Sequence, residues 1–354
     1  MVKAKSKEDK STTSIFVNEL IKEFGEKIFN HKKEISAIST GSVSLDSSIG
    51  IGGIPRGMVT EISGPEGSGK TTIALNIARG LANQEKKTLY IDVENLLNKE
   101  LLKAVLGEET KVENIITITP DSAEQAFMVA EKGIESKEFD LIVIDSVGAM
   151  ASKKEKEKEF DEDTMMQVPR LVAKFIRRNA YSIRTKDVAV LVLNQVRDDV
   201  KNASKYKTYS TPGGHTLKHQ AALRITLTKG SDLTRGEEKV GILTKFVIRK
   251  NKLAPPFRSF TLPIIFGQGI DYYADLIDFS KLLGVLQGSG AFYKFEGQTL
   301  GQGKAATRET LINSKETLDK IVEKVYNLVN KQSGISELLS DLEDGLESED
   351  ETEE

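Results

Sequence analysis

The sequence predicts an α/β protein whose core is a mostly parallel β-sheet covered by helices. Short runs rich in β-branched residues alternate with helical patterns from Met58 to about Pro263, and such alternation is typical of parallel sheets. A glycine-rich segment lies between the first of these runs and the helical pattern that follows it. Beyond about Ile270 the pattern changes to short helices and one hairpin-like run, which predicts a small α+β C-terminal domain.

The predicted strands are short apolar runs separated by helical patterns. The last three follow one another closely, so we expect them to be antiparallel strands at one edge of the sheet. In chain order the runs are VTEIS, TLYID, IITIT, LIVID, VAVLVL, LRITLT, KFVI and SFTLPI.

The composition excludes several classes of protein. The chain of 354 residues has 50 basic and 53 acidic side chains, and 38% of its residues are hydrophobic, which is typical of a folded globular protein. It contains no cysteine, and its histidines, His31, His215 and His219, are too scattered for a zinc site. Because there is neither a long apolar run nor a secretion signal, we expect a cytoplasmic protein.

Charge is distributed unevenly along the chain. Residues 337–354 contain ten carboxylates and no basic residue, whereas the preceding 336 residues have 50 basic and 43 acidic side chains, a net charge of +7. A basic body with an acidic tail suits a polyanion-binding protein that screens itself. The alternative is a solvated tail without a specific role, and the sequence leaves both open.

These patterns divide the chain into four segments. Residues 1–37 form an N-terminal arm, in which SIFVNELIKEFGEKIF has apolar residues at helical spacing and predicts one amphipathic helix. We expect the nucleotide-binding core at residues 38–269 and the small C-terminal domain at residues 270–333. The acidic tail at residues 334–354 is expected to be disordered.

The glycine-rich segment is GPEGSGKT, which follows VTEIS and precedes TTIALNIARGLA. In this context it predicts a P-loop, whose backbone amides surround phosphate groups at a helix N-terminus. Lys70 is expected to reach the β- and γ-phosphates, and the Thr71 hydroxyl to coordinate Mg²⁺. The nucleotide-binding residues predicted from this segment are Gly64, Pro65, Glu66, Gly67, Ser68, Gly69, Lys70, Thr71 and Thr72.

Polar residues end three of the other predicted strands. Asp145 ends LIVID, where a carboxylate beside the P-loop can hold Mg²⁺ through a water molecule. Glu94 follows TLYID, where it can act as general base or orient the attacking water, and a surface carboxylate is the equal alternative. Asn194 and Gln195 end VAVLVL, and their amides either sense the γ-phosphate or cap a turn.

The motifs of the chain occur in the order of a known family. They are ISTGSVSLD, GPEGSGKTT, YIDVEN, VIDSV, LNQVR, TPGGHTLK, RKNKLAPPF and GQGK. Over about residues 14–330 the chain resembles the RecA family of bacterial and phage recombinases. The resemblance implies a RecA-type P-loop ATPase core that uses ATP and Mg²⁺. It also implies a helical filament of identical subunits on single-stranded DNA, which pairs that strand with homologous duplex DNA and exchanges strands.

The resemblance also implies roles for individual residues. Glu94 matches the catalytic glutamate of the family, and Gln195 matches the glutamine that couples the γ-phosphate to a DNA-binding loop. Lys250 and Lys252 match lysines that reach the ATP of the neighbouring subunit, where added cations stabilise developing charge. With Lys70, these are the implied catalytic residues.

Two segments resemble the DNA-binding loops of the family, at about residues 156–170 and 197–214. Apolar residues there would wedge between bases, and glycine amides would approach phosphates closely. Taken alone, both segments are also consistent with polar surface loops. The DNA-binding residues implied are Met165, Arg170 and Arg177 for the first loop and the helix after it, Arg197, Val200, Gly213 and Gly214 for the second, and Lys304 in the C-terminal domain.

The chain departs from the family pattern at several positions. Asn98 and Leu101 stand where the family usually has an aspartate and a tyrosine near adenine, and His219 stands where it has an aromatic residue at the subunit interface. Asp198 and Asp199 add negative charge to the second loop. These departures bear on nucleotide affinity, DNA affinity and their coupling.

The alternative function is a RecA-fold DNA motor or recombination accessory ATPase without strand exchange.

Overall fold

The structure is a computed structural model. In it the chain forms two compact units, residues 1–35 and residues 36–354. The predicted four-segment division stays a prediction. Among the helices that the structure describes, none is long and apolar enough to cross a membrane. The described residues are 16–25, 35–107, 110–157, 167–198, 209–210, 214–256, 258–289 and 291–331.

The described part of the first unit contains one helix, α1, at residues 16–24. It ends at Gly25, whose φ of 79° is in the left-handed region that glycine adopts without strain. Phe16 and Phe24, at the two ends of the helix, expose 59% and 57% of their surface. The amphipathic pattern therefore forms a helix that leaves aromatic side chains uncovered in the single subunit. Ile28, the last residue of the predicted apolar face, lies outside the described residues.

The described residues of the second unit form four β-sheets. In chain order the strands are β1 (Ala37–Ile38), β2 (Ile54–Pro55), β3 (Val59–Gly64), β4 (Thr88–Asp92), β5 (Ile115–Ile118), β6 (Leu141–Asp145), β7 (Ala189–Gln195), β8 (Arg197–Asp198), β9 (Tyr209–Ser210), β10 (Leu223–Arg235), β11 (Glu238–Asn251), β12 (Ser259–Ile265), β13 (Gly269–Ile270), β14 (Gln287–Ser289), β15 (Phe292–Phe295) and β16 (Gln298–Gln302).

Ten further α-helices are described between and after these strands. In chain order they are α2 (Val43–Ile49), α3 (Lys70–Ala82), α4 (Lys99–Leu106), α5 (Ala123–Ser136), α6 (Lys153–Glu157), α7 (Gln167–Lys186), α8 (Gly214–Gln220), α9 (Tyr272–Leu282), α10 (Gly303–Asn313) and α11 (Lys315–Lys331).

A nine-stranded sheet forms the centre of the core, in the order β13-β12-β11-β10-β3-β7-β6-β4-β5. The strands from β10 to β5 are parallel, whereas β10, β11, β12 and β13 pair antiparallel at one edge. Strands β3, β4 and β6 are buried along their whole length, as strands covered on both faces must be. The predicted α/β fold, with antiparallel strands at one edge, is confirmed.

Alternate residues of the central strands enter two hydrophobic clusters, one on each face of the sheet. On β4, Tyr90 joins the cluster that includes Ile73 and Ile77 of α3. Its neighbours Leu89 and Ile91 join the cluster that contains residues of α5 and α7. This alternation follows from the two-residue period of a strand.

The C-terminal part of the second unit has its own hydrophobic cluster, which contains residues of α9, α10 and α11. The antiparallel sheet β14-β15-β16 adds Phe295 and Leu300 to this cluster. The predicted hairpin AFYKFEGQTL corresponds to β15 and β16. The small α+β domain predicted from the sequence is therefore present. Val43 of α2 also belongs to this cluster, so α2 packs against the C-terminal part.

Two carboxylates are buried where α2 meets α9, Asp46 on α2 and Asp275 on α9. Asp46 accepts hydrogen bonds from the amide of Thr40 at 2.8 Å and from its hydroxyl at 2.7 Å. Asp275 of α9 accepts from the hydroxyl of Ser42 at 2.8 Å and from the amide of Ser44 at 3.1 Å. Burial raises the pKa of Asp46 to about 7 and that of Asp275 to about 6, although these hydrogen bonds oppose the shift.

Candidate functional site

The glycine-rich segment forms a phosphate-sized loop between β3 and α3. Gly69 is the N-cap of α3 with a φ of 88°, and a Cβ there would lie 2.4 Å from Cδ1 of Ile264. Glycine is therefore required by conformation and by space. Among the described residues, no side chain caps the first turn of α3. Its amide donors are therefore available to an anion, as at other helix N-termini.

Lys70 folds back over this loop. Its ammonium donates to the carbonyl oxygen of Gly64 at 3.0 Å and to that of Pro65 at 2.7 Å. Burial lowers the pKa of Lys70, and the carboxylates of Asp145 and Glu94 oppose this shift. The loop therefore binds the ammonium of Lys70 through two of its own carbonyl oxygens.

Asp145 stands at the end of β6, next to the start of α3. Its Oδ2 accepts a hydrogen bond from the hydroxyl of Thr71 at 2.8 Å and another from the hydroxyl of Tyr90 at 2.7 Å. Burial raises the pKa of Asp145, and these two donors lower it. The structure thus brings together the two residues predicted to hold Mg²⁺, and it adds Tyr90, which the sequence analysis did not select.

Glu94 lies within hydrogen-bonding distance of two other strand ends. Its Oε1 accepts from the hydroxyl of Ser146 at 2.7 Å and from the amide nitrogen of Gln195 at 3.2 Å. Glu94 therefore has partners at two other strand ends, and the roles predicted for Glu94 and Gln195 stay predictions. Asn194 points elsewhere, because its amide nitrogen donates to the buried Glu61 at 3.0 Å.

Lys250 lies near the end of β11, where this strand pairs with β10, and Lys252 directly follows the strand. The ammonium of Lys250 donates to the carbonyl oxygens of Lys218 and His219, at the C-terminus of α8. Burial and the neighbouring charge of Lys252 lower the pKa of Lys250. Neither lysine is among the described residues that line the cavity beside the P-loop.

That cavity has a volume of about 330 Å³. Its lining includes Lys70, Thr71 and Thr72 of α3 and the segment 264–267. Phe266 in this segment exposes 51% of its surface. Phe266 was not among the predicted site residues, although an aromatic residue within FGQG after an apolar strand was an available signal. Ser146, which follows LIVID, was missed because a serine at a strand end is common.

Only part of the predicted DNA-binding set is described by the structure. Arg170 and Arg177 are exposed on α7 and, seven residues apart, lie on the same face of that helix. The backbone of Arg197 pairs with that of Ser210, which joins the two ends of the second loop. Gly214 begins α8 with a φ of 71°. Met165, Val200, Gly213 and the side chain of Arg197 lie outside the described residues.

The remaining selected residues lie on α4, α8 and α10 or next to them. Lys304, at the start of α10, forms an ion pair with Asp278 at 2.7 Å and keeps 56% of its side chain exposed. The ring of His219 stacks on that of His215 at 6.5 Å. Asn98 directly precedes α4, and the side chain of Leu101 lies outside the described part of the structure. The predicted roles of these residues stay predictions.

An amide-lined loop between a strand and a helix, a lysine above it and a carboxylate at the neighbouring strand end define a P-loop nucleoside triphosphatase. Residues 9–271 match the RecA N-terminal domain family, and residues 274–330 match the RecA C-terminal domain family. The chain belongs to the RecA family. It is therefore an ATP- and DNA-binding protein of DNA recombination and repair.

Individual relatives agree with this assignment. Protein RecA of Aquifex pyrophilus is 37% identical over 292 residues, which cover 82% of this chain and 83% of the relative. Protein RecA of Macrococcus caseolyticus is 34% identical over 305 residues, which cover 86% and 85%. The crystal structure of the RadB recombinase superposes with a TM-score of 0.50 and 25% identity, and the match covers 66% of this chain and 98% of that one. The predicted resemblance and recombinase class are thus confirmed.

Proposed function

We propose that the protein is a cytoplasmic, ATP-dependent recombinase that forms a helical filament on single-stranded DNA, pairs it with homologous duplex DNA and exchanges strands. One observation carries this proposal beyond family membership. The amide of Gln195 donates to Glu94 at 3.2 Å, and Gln195 lies two residues before the segment 197–214. A direct contact therefore links the candidate catalytic carboxylate to the start of the candidate DNA-binding loop.

ATP and Mg²⁺ fit the residues of the site. The uncapped first turn of α3 offers amide donors to phosphate oxygens, with Lys70 above them. Thr71 and Asp145 are hydrogen-bonded to each other at 2.8 Å, so both could hold Mg²⁺, Asp145 through water. Among the described residues, no group of three or more acidic or histidine side chains is arranged to hold a metal ion, so the remaining ligands would come from phosphates and water. When bound, Mg²⁺ neutralises charge on the β- and γ-phosphates.

We assign the hydrolytic step to Glu94. Ser146 and Gln195 both donate to its Oε1, so the carboxylate is held in one orientation. Its other oxygen can accept a proton from water as that water attacks the γ-phosphorus. The bond to the bridging oxygen between the β- and γ-phosphorus atoms then breaks, and ADP and phosphate form. Lys70 stabilises the negative charge that develops during this step.

A filament would complete the catalytic site. Lys250 and Lys252 lie outside the described lining of the phosphate cavity of their own subunit, and we assign them to the ATP of a neighbour. The exposed Phe16 and Phe24 of α1 offer apolar surface for a subunit contact. On the DNA side, we assign Arg170 and Arg177 to phosphates, and Lys304 to duplex DNA. Met165, Arg197, Val200, Gly213 and Gly214 complete the proposed DNA-binding set.

A strand-exchange assay tests this function. The wild-type protein should exchange strands with homologous but not heterologous duplex DNA, and only when ATP is present. The variant Gln195→Ala should hydrolyse ATP at its DNA-independent rate and lose stimulation by single-stranded DNA. Gln298→Ala, on the exposed start of β16, is the matched control and should behave as the wild type. DNA-stimulated hydrolysis without strand exchange would instead assign the protein to the motor or accessory class.

A further inference from the structure

The hydroxyl of Tyr90 contacts the site, but the proposed function gives it no role. We propose that Tyr90 is a positioning residue for Mg²⁺, because its hydroxyl holds one oxygen of the Asp145 carboxylate and would leave the other free for the water shell of the metal. This inference rests on the proposed ATP hydrolysis and adds a residue that acts through Asp145 rather than on the nucleotide.

Tyr90 cannot move independently of the core. Its side chain is fully buried and packs in the cluster that includes Ile73 and Ile77 of α3. It lies in the middle of β4, which pairs with β6 so that Asp92 is opposite Asp145. A phenylalanine would fill this space equally well. The buried hydroxyl would destabilise the fold unless it found a partner, and its partner is the carboxylate of Asp145 at 2.7 Å.

Both donors to Asp145 end on the same oxygen. Tyr90 and Thr71 each donate to Oδ2, and among the described residues no hydrogen bond to Oδ1 is found. The carboxylate is therefore oriented with Oδ1 free of side-chain donors. That oxygen is the one available to the water shell of Mg²⁺. Residues that orient metal-binding groups in this way commonly determine metal affinity.

Tyr90 and Thr71 differ in one respect that makes Tyr90 necessary. Thr71 is itself assigned to Mg²⁺, so the position of its hydroxyl depends on whether the metal is bound. Tyr90 is held by core packing and stays in place in either state. We infer that Tyr90 keeps Asp145 oriented before Mg²⁺·nucleotide arrives, so that the site does not need to reorganise when it binds.

The test measures ADP affinity by calorimetry, once with excess Mg²⁺ and once in EDTA. For Tyr90→Phe we expect the dissociation constant of ADP with Mg²⁺ to rise about tenfold, the lower end of the range for residues that support metal ligands. The dissociation constant in EDTA should stay within about twofold of the wild type, since the P-loop is unchanged. Tyr293→Phe on β15 is the matched control, and both values should equal those of the wild type.

A double-mutant cycle shows whether Tyr90 acts through Asp145. In the Asp145→Asn background, Tyr90→Phe should not change the ratio of the two dissociation constants further. The inference is overturned if Tyr90→Phe weakens binding equally with and without Mg²⁺, since that result indicates only a structural role. It is also overturned if Tyr90→Phe alone changes neither dissociation constant. A wild-type protein that binds no ADP would contradict the proposed function itself, and the melting temperature without ligand checks that each variant is folded.

Discussion

The ammonium of Lys250 lies 2.7 Å from the carbonyl oxygen of His219. His219 is near the C-terminus of α8, where carbonyl groups lack partners within the helix and attract cations. Helix α8 begins at Gly214, the last residue of the candidate second DNA-binding loop. The cation that we assign to the ATP of a neighbouring subunit is thus bound to the helix that follows this loop. A movement of α8 on DNA binding would therefore change the position of the Lys250 ammonium.

We therefore expect Lys250→Ala to bind ATP normally as a single subunit and to lose DNA-stimulated hydrolysis. Loss of a preorganised cation at a phosphoryl-transfer site costs about 10²–10³ in rate. Lys229→Ala, an exposed lysine on β10, is the control. Mixing Lys250→Ala with Lys70→Ala subunits should restore some hydrolysis, because one type supplies the nucleotide site and the other the cation. Mixed assemblies without any activity would weaken the shared-site proposal.

The substitution Glu94→Gln should separate binding from hydrolysis. The amide keeps the shape of the side chain but cannot accept the proton, so ATP and DNA binding should persist while turnover falls by about 10²–10⁴. Steady-state phosphate release and fluorescent-nucleotide binding provide the two measurements. The control is Glu113→Gln, which changes an exposed glutamate. It should affect neither phosphate release nor nucleotide binding. Near-normal turnover in Glu94→Gln would place the general base elsewhere.

Assembly should depend on the apolar face of α1. Deleting residues 1–35, the first compact unit, should leave a folded ATPase core that binds ATP and does not form long filaments. The double substitution Phe16→Ser and Phe24→Ser should have the same effect, since both rings are exposed in the single subunit. Light scattering with single-stranded DNA reports assembly, and Lys22→Ala on α1 is the control. Long DNA-dependent assemblies from the truncated protein would contradict this expectation.

Removing residues 337–354 should strengthen binding to duplex DNA more than to single-stranded DNA. The ten carboxylates of this segment are tethered to a body of net charge +7, and they compete with phosphates at an effective concentration of about millimolar. The truncated protein should also need less Mg²⁺ for duplex binding. Duplex affinity is measured against salt and Mg²⁺ for both proteins. Superimposable curves would favour a tail that docks a partner or has no role in DNA binding.

Asp46 should make the stability of the protein depend on pH. Its pKa is raised from 3.8 to about 7 in the folded state, so between about pH 4 and pH 7 the folded protein binds more protons than the unfolded chain. The contribution of this group to the free energy of unfolding is therefore present at low pH and falls as pH rises to about 7, by up to about 1.4 kcal/mol per pH unit.

Urea denaturation between pH 5 and pH 8 measures this effect. As pH rises, the free energy of unfolding of the wild type should fall relative to that of Asp46→Asn. Asp319→Asn, an exposed aspartate on α11, should show no such trend. A constant difference for Asp46→Asn across this range would show that Asp46 does not titrate there.

Much of the core was predictable because its local patterns agree with its tertiary fold. The apolar runs LIVID and TLYID form strands buried on both faces, as their continuous hydrophobicity predicted. The P-loop was predictable because its glycines are required by the backbone of the loop itself. Asp145 and Glu94 were predictable as candidates because the ends of parallel strands meet at one edge of a sheet.

The pairing of these side chains was decided only by the tertiary structure. No spacing in the sequence indicates that Tyr90 donates to Asp145, because the contact depends on the register between β4 and β6. The contact between Glu94 and Gln195 joins residues 101 positions apart. In the sequence, Lys250 is only one cation within a polar run. Its hydrogen bond to the end of α8 exists because the fold brings β11 and α8 together. Local physics determined which elements form, whereas long-range packing determined which polar groups meet, since each hydrogen bond depends on distances that the fold sets.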